Sequence, residues 1–108
     1  MQNIYRSIAV IRPKSPYIKW ANSCSYDDKQ YSAEYIDSRS SAILIPFYDV
    51  VTIADAHRYI DGMWERIFTE ELQNWHLDST FWPKDRTLKM FKEWFTVELH
   101  SIVFDPEL

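Results

Sequence analysis

The chain has only one glycine, Gly62, and one cysteine, Cys24, among its 108 residues. Phosphate-binding loops of the Walker and Rossmann types need several glycines, because the backbone must approach the ligand closely. Nucleotide sites of both types are therefore excluded. A single cysteine forms no intramolecular disulfide and supplies no cysteine-based zinc cluster. Because nothing nearby in the sequence would lower the pKa of its thiol, we expect Cys24 to be chemically inert.

Long apolar runs and basic runs are also missing. No apolar run approaches roughly 18 residues, the length that spans a bilayer, and the segment 1–6 lacks the apolar core of a signal peptide. The net charge is −4, and residues 51–108 carry six basic and eleven acidic side chains. Because an acidic surface repels phosphates, we expect no binding to nucleic acid. The missing apolar runs predict a cytoplasmic protein that binds no membrane.

Aromatic side chains, in contrast, are abundant: five Trp, seven Tyr and six Phe make up 17% of the chain. Each ring carries about 150–250 Å² of surface. Together the rings have more surface than the core of a single domain over residues 1–108 readily buries. We therefore expect some rings to line a groove or a subunit contact. Open sheet edges add to this expectation, and together they predict a homodimer.

Three short segments have the composition or alternation of strands. The runs 7–11 and 42–47 are rich in β-branched and other apolar residues, and 97–104 alternates as a half-buried strand does. In that last segment the alternation places Glu98 and His100 on one face together with Ile102 and Phe104.

Helical periodicity is clearest from about residue 53 to residue 75, after a possible cap at Thr52. The apolar stripe of this predicted long helix contains Ile53, Ala56, Ile60, Met63, Trp64, Ile67, Phe68, Leu72 and Trp75. Gly62 inside it suggests close packing of another backbone. Shorter helices are predicted near 17–21 and 85–96, and 22–40 is a connector. The order predicts an α/β (α+β) two-layer fold, a sheet of three or four strands covered on one face by helices.

Two histidines and a carboxylate in the last third have the residue types of a metal site. His76, Asp78 and His100 match the two-histidine, one-carboxylate set that suits non-haem iron. Oxygenases normally carry that set on a barrel of many strands, which this chain lacks. We therefore expect no metal and no other cofactor, and keep these three residues as the alternative metal set.

Glu98 and His100 are the candidate catalytic residues. The two residues are two positions apart on a strand, so their side chains leave the same face about 7 Å apart. A carboxylate close to an imidazole raises the pKa of the imidazole, which suits acid–base catalysis. The alternative is structural: His100 is a strand histidine that hydrogen-bonds to Glu98 or to the backbone.

The segment Trp82-Pro83-x-x-Arg86 adds a possible shelf for an anion or a planar ligand, through stacking and paired hydrogen bonds. The alternative is a helix-entry turn in which Trp82 packs and Arg86 bridges to Asp78 or Glu98. We predict a ligand site in which five side chains converge to within roughly 10 Å. These are His76, Trp82, Arg86, Glu98 and His100.

The motifs of the C-terminal third also carry a resemblance. Trp75-His76-x-Asp78, Trp82-Pro83-x-x-Arg86-Thr87, Phe91-x-x-Trp94-Phe95 and Glu98-x-His100-Ser101-x-Val103-x-Asp105 resemble a group of small, uncharacterised bacterial proteins of about this length. The resemblance implies a bacterial, cytoplasmic, free-standing domain and no particular chemistry.

No complete catalytic set is present. We therefore expect a non-catalytic binding or interaction domain that acts as a homodimer and takes a small-molecule or protein ligand. The alternative is a small metal-dependent or acid–base enzyme that uses His76, Asp78, Glu98 and His100.

Overall fold

A computed structural model describes all residues from 1 to 108 and has an α+β fold. The strands are β1 (Gln2–Asn3), β2 (Arg6–Pro13), β3 (Ser41–Pro46), β4 (Phe95–His100) and β5 (Phe104–Asp105). The helices are α1 (Ser15–Ser23), α2 (Ala33–Ser38), α3 (Ile53–Gly62), α4 (Trp64–Trp75) and α5 (Leu88–Trp94), with a 3-10 turn at Ser79–Phe81. No helix combines the length and apolar character needed to cross a bilayer.

The predicted three-stranded sheet is confirmed, and its order is β3-β2-β4 with all neighbours antiparallel. Ala9 and Ile11 of the central strand are fully buried beneath the helices. The alternate residues Ile8 and Val10 lie on the opposite, outer face and are partly exposed. Because side chains alternate across a strand, this burial pattern identifies one covered face and one open face.

Phe68 of α4 lies at the centre of the helical layer and is fully buried. Its ring centroid lies 6.1 Å from Phe91, 5.4 Å from Trp94 and 5.3 Å from Phe95. These tilted and edge-on contacts are the geometries that aromatic pairs prefer. They join α4, α5 and the start of β4 into one core.

The predicted long helix is two helices, α3 and α4, which meet at Met63 (φ −107°, ψ 7°). The apolar stripe continues through both, so its periodicity does not reveal the break. Gly62 ends α3, in keeping with its poor helix propensity. The close packing expected at Gly62 is wrong, because a Cβ atom there would meet no heavy atom within 4 Å.

The last strand and the last helix also begin or end at other residues than the sequence predicted. β4 begins at Phe95 and ends at His100, so Ile102 and Phe104 do not share its outer face. Phe104 instead pairs with Asn3 in a separate two-stranded sheet, β1–β5. α5 begins at Leu88 rather than near residue 85, because Asp85 has a left-handed backbone (φ 55°) that an α-helix does not accommodate.

The exit from β4 is held by Ser7, which is fully buried in β2. Its hydroxyl donates to the carbonyl oxygen of Ser101 (2.8 Å) and accepts from the backbone N–H of Tyr48 (3.1 Å). Ser7 therefore satisfies two backbone groups from the segments that follow β4 and β3.

Candidate functional site

Glu98 and His100 lie on the outer face of the sheet, opposite Val10 and Ile8 of β2. His100 Nε2 is 2.8 Å from a Glu98 oxygen, and the two side chains are 53% and 41% exposed. Arg12 contacts the same carboxylate at 3.3 Å. The hydrogen bond from His100 is the main cause that lowers the pKa of Glu98, and the hydrogen bond from Arg12 lowers it further. This is the structural pair that the sequence offered as the alternative.

His76 and Trp82 lie elsewhere, beside the helices. His76 is buried and stacks on Tyr26, with ring centroids 4.2 Å apart, and its carbonyl oxygen accepts from Trp82 Nε1 (2.8 Å). The guanidinium of Arg86 lies 5.9 Å from the ring centroids of both Trp82 and Phe68. These three predicted site residues are joined by packing and stacking.

The predicted five-residue site does not assemble. His76, Trp82 and Arg86 belong to the helical layer, whereas Glu98 and His100 point away from it. Arg86 bridges to neither Asp78 nor Glu98, and its Nη1 donates to the carbonyl oxygen of Pro83 (2.8 Å). The alternation along 97–104 correctly predicted that Glu98 and His100 share one face of the sheet. It did not reveal that the helices cover the opposite face.

The alternative metal set is likewise dispersed. Asp78 caps the 3-10 turn by accepting from the N–H of Thr80 (3.0 Å), and this hydrogen bond is the main cause that lowers the pKa of Asp78. His76 Nδ1 accepts from the N–H of Asp78 (3.1 Å), and His100 lies on the outer face of the sheet. No three His, Cys, Asp or Glu side chains converge in the structure as metal ligands.

A different concave surface runs along α4. It consists of three adjoining hollows of about 330, 160 and 430 Å³, and Asn74 lines all three. The walls of the central hollow include Tyr17, Arg39, Glu71, Asn74, Trp75 and Phe95. We call these hollows together the Glu71 groove. Its central volume lies in the range of small-molecule pockets.

Glu71 is the most unusual member of this groove, because it is a carboxyl group with only 6% of the residue exposed. One oxygen accepts a hydrogen bond from the Ser41 hydroxyl, and no basic side chain pairs with it. Burial raises the pKa of Glu71, and the Ser41 hydrogen bond opposes part of that rise. A buried carboxyl without a cation is costly unless a partner arrives.

Arg39 stands at the exposed rim of the same hollow. Its guanidinium lies 5.8 Å from the ring centroid of Trp75, and Nη1 makes a long contact of 3.4 Å with the hydroxyl of Tyr35. It forms no ion pair with Glu71 or any other carboxylate. An acidic and a basic side chain therefore line one hollow without pairing with each other.

The sequence contained one signal for Glu71 that the prediction missed. Ile67, Glu71 and Trp75 are spaced by four residues, so they share one helix face. An acidic residue between two apolar ones on that face marks a buried carboxyl. No local pattern links Arg39 to it, because that proximity depends on how α2 packs beside α4.

Comparisons with protein families, with curated proteins and with solved structures find no match to this chain. The site is therefore assigned from its own geometry.

The raised pKa of Glu71 predicts a pH-dependent effect of Glu71→Gln. Folding favours the protonated carboxyl, so its contribution to stability is full below the unfolded-state pKa of about 4.3 and is lost as pH rises through the higher folded-state pKa. Glutamine does not titrate and keeps an acceptor for Ser41. We therefore expect the variant to gain stability relative to the parent as pH rises above about 4.3. Urea unfolding at a series of pH values measures this difference.

The exposed Glu65 of the same helix provides a matched control. Glu65→Gln should show little pH dependence relative to the parent. A difference between Glu71→Gln and the parent that stays constant across the pH series would contradict the assignment.

Proposed function

We propose that this protein is a non-catalytic binding domain that takes a small molecule in the Glu71 groove. One observation carries the proposal: the buried Glu71 and the rim residue Arg39 line a single hollow of about 330 Å³ and do not pair with each other. Neither side chain has an oppositely charged partner within the protein, so both are available to a ligand, and the aromatic walls supply apolar contact.

The chemistry of the groove favours binding over catalysis. None of the residues that line its three hollows is a histidine or a cysteine. Tyr17 donates its hydroxyl hydrogen to the carbonyl oxygen of Glu71 (2.8 Å), and burial raises its pKa. Ser41 contacts a carboxyl group rather than an imidazole. An activated nucleophile needs an adjacent base that is itself oriented by a third group, and this set does not provide one.

The indole N–H groups of the tryptophans give a direct test of groove occupancy. Trp75 lines the groove and donates to the carbonyl oxygen of Ala21 (2.8 Å), whereas Trp82 donates to His76 outside it. In ¹H–¹⁵N spectra recorded against a metabolite and fragment library, bound compounds should shift the Trp75 signal and leave the Trp82 signal unchanged.

Filling the groove provides the control. Ser40→Trp, at a partly exposed lining position, should abolish those shifts while the other indole signals stay in place. Binding that persists in this variant, or a library that never moves the Trp75 signal, would overturn the proposal.

We further propose that the protein acts as a homodimer through the end of the sheet where β2 begins. Tyr5 is 71% exposed and lies edge-on to Phe47, with ring centroids 6.3 Å apart. Phe47 follows β3 and Ile102 follows β4, and they are 46% and 56% exposed. Val50, Val51 and Phe104 add further exposed apolar surface near these segments. Several exposed apolar side chains on one part of the surface are typical of a subunit contact.

Light scattering at high micromolar concentration should therefore give twice the chain mass of 13.0 kDa. Phe47→Ser should weaken association about tenfold or more, because central aromatic contacts dominate such interfaces. Leu77→Ser, at a side chain that is 73% exposed elsewhere, should leave the mass unchanged. A mass of 13.0 kDa for the parent protein would refute the dimer.

We also propose that this domain acts in the bacterial cytoplasm. The C-terminal motifs that resemble small bacterial proteins support this location. A single buried cysteine, Cys24, also accords with a reducing compartment.

A further inference from the structure

We propose that the ligand of the Glu71 groove is a small zwitterion of the amino-acid type, with its ammonium group at Glu71 and its carboxylate at Arg39. This inference rests on the proposed function and specifies the ligand class that the same groove takes.

The inner part of the groove has the chemistry that recognises an ammonium group. Glu71 offers a buried carboxyl whose only side-chain partner is the Ser41 hydroxyl. Tyr17, Phe95 and Trp75 contribute aromatic surface to the same hollow. Aromatic rings around a carboxylate attract a cation through both the ring quadrupole and the formal charge. A primary ammonium has three donors, enough to reach Glu71 and a neighbouring carbonyl or hydroxyl together.

The rim has the chemistry that recognises a carboxylate. A guanidinium presents paired donors that match the two oxygens of a carboxylate, and Arg39 has no carboxylate partner in the protein. Arg12, by contrast, contacts both Asp37 (3.0 Å) and Glu98 (3.3 Å). The amide side chain of Asn74 lines the hollow and supplies a further donor and acceptor.

The separation of the two charges distinguishes a zwitterion from a simple anion or cation. Glu71 and Arg39 do not form an ion pair, yet both line the same hollow as Tyr17. The Tyr17 hydroxyl donates to the backbone carbonyl oxygen of Glu71 (2.8 Å), so the tyrosine ring lies beside the acidic end of the hollow. A ligand with one charge would leave the opposite group of the groove unpaired.

Matched sets of compounds test this assignment by calorimetry. Each set contains an amino acid, the amine that lacks its carboxylate, and the acid that lacks its amino group. One set is L-leucine, 3-methylbutylamine and 4-methylpentanoate, and the second is L-phenylalanine, 2-phenylethylamine and 3-phenylpropionate. We expect at least one amino acid to bind about tenfold or more tightly than either half, because each end adds a charge-assisted hydrogen bond.

Two substitutions separate the contributions of the two ends. Glu71→Gln should weaken binding of the amino acid and the amine by about ten- to hundredfold and leave the acid unaffected. Arg39→Gln, at an exposed position, should weaken binding of the amino acid and the acid but not of the amine. Glu65→Gln, on the exposed side of α4, should change none of these affinities.

Each alternative result has a distinct meaning. Equal affinities within a set, or affinities that neither groove variant changes, would overturn the zwitterion assignment. If other library compounds shift the Trp75 indole signal while neither amino acid binds, the ligand class is wrong and the proposed binding function stands. If no compound shifts that signal, both fail.

Discussion

Replacing Phe68 with alanine is expected to lower the free energy of unfolding by about 3–5 kcal/mol. The side chain is fully buried, and its ring touches three other aromatic residues that come from two different elements. Truncation removes buried apolar surface and leaves a cavity that rigid rings fill poorly. Since domains of this size are stable by only about 5–15 kcal/mol, this loss is a large share of the total stability. Urea titration followed by tryptophan fluorescence measures the loss.

The same substitution at Phe81, which is 53% exposed, is the matched control. Phe81 touches His76 at a centroid distance of 4.5 Å but closes no core. We expect a loss of about 1 kcal/mol or less. Equal losses at the two positions would mean that the aromatic core does not centre on Phe68.

Ser7→Ala is also expected to have a large effect, about 1–3 kcal/mol for each backbone group that it leaves unpaired. The hydroxyl satisfies the Ser101 carbonyl oxygen and the Tyr48 N–H inside the protein. Alanine fits the space but can bond to neither, and a buried polar group without a partner bears its full desolvation cost. Chemical denaturation gives the stability change, and faster hydrogen exchange at the amide of Tyr48 gives its location.

Ser23→Ala provides the comparison for a serine on the surface. Its hydroxyl bonds to the Trp20 carbonyl oxygen (2.6 Å) at an exposed position, where water can replace it. A change within about 0.5 kcal/mol is expected. Protection of the Tyr48 amide that survives in Ser7→Ala would show that another group takes over the hydroxyl's role.

Hydrophobic periodicity was sufficient to predict the main elements of this fold. The runs around Ala9 and Ile43 lie in adjacent strands, and the stripe from Ala56 to Leu72 faces the core. The break at Met63 was not predictable from the stripe, because α3 and α4 keep the same apolar face through it. The end of β4 was missed for a similar reason: alternation in the sequence continues past His100, but strand pairing does not.

The candidate site was harder to predict, because it is assembled by tertiary contacts. Glu98 and His100 were correctly paired with each other, since that relation depends only on spacing along one strand. Their relation to His76 depends on which face of the sheet the helices cover, and period-two alternation is the same for either choice. Glu71 was also missed, although its place within an apolar stripe was visible in the sequence.

The central position of β2 has a consequence for the order in which the chain folds. β2 pairs with β3 and also with β4, so that Ala9 lies beside both Ile43 and Leu99. During synthesis one edge of β2 therefore stays unpaired until the residues of β4 have been made. The helices α3, α4 and α5 can form earlier, because they depend on local contacts. Until β4 arrives, the backbone from Ile8 to Ile11 presents an open edge that another strand can pair with. β2 is therefore open to mispairing from the time it is made until β4 pairs with it.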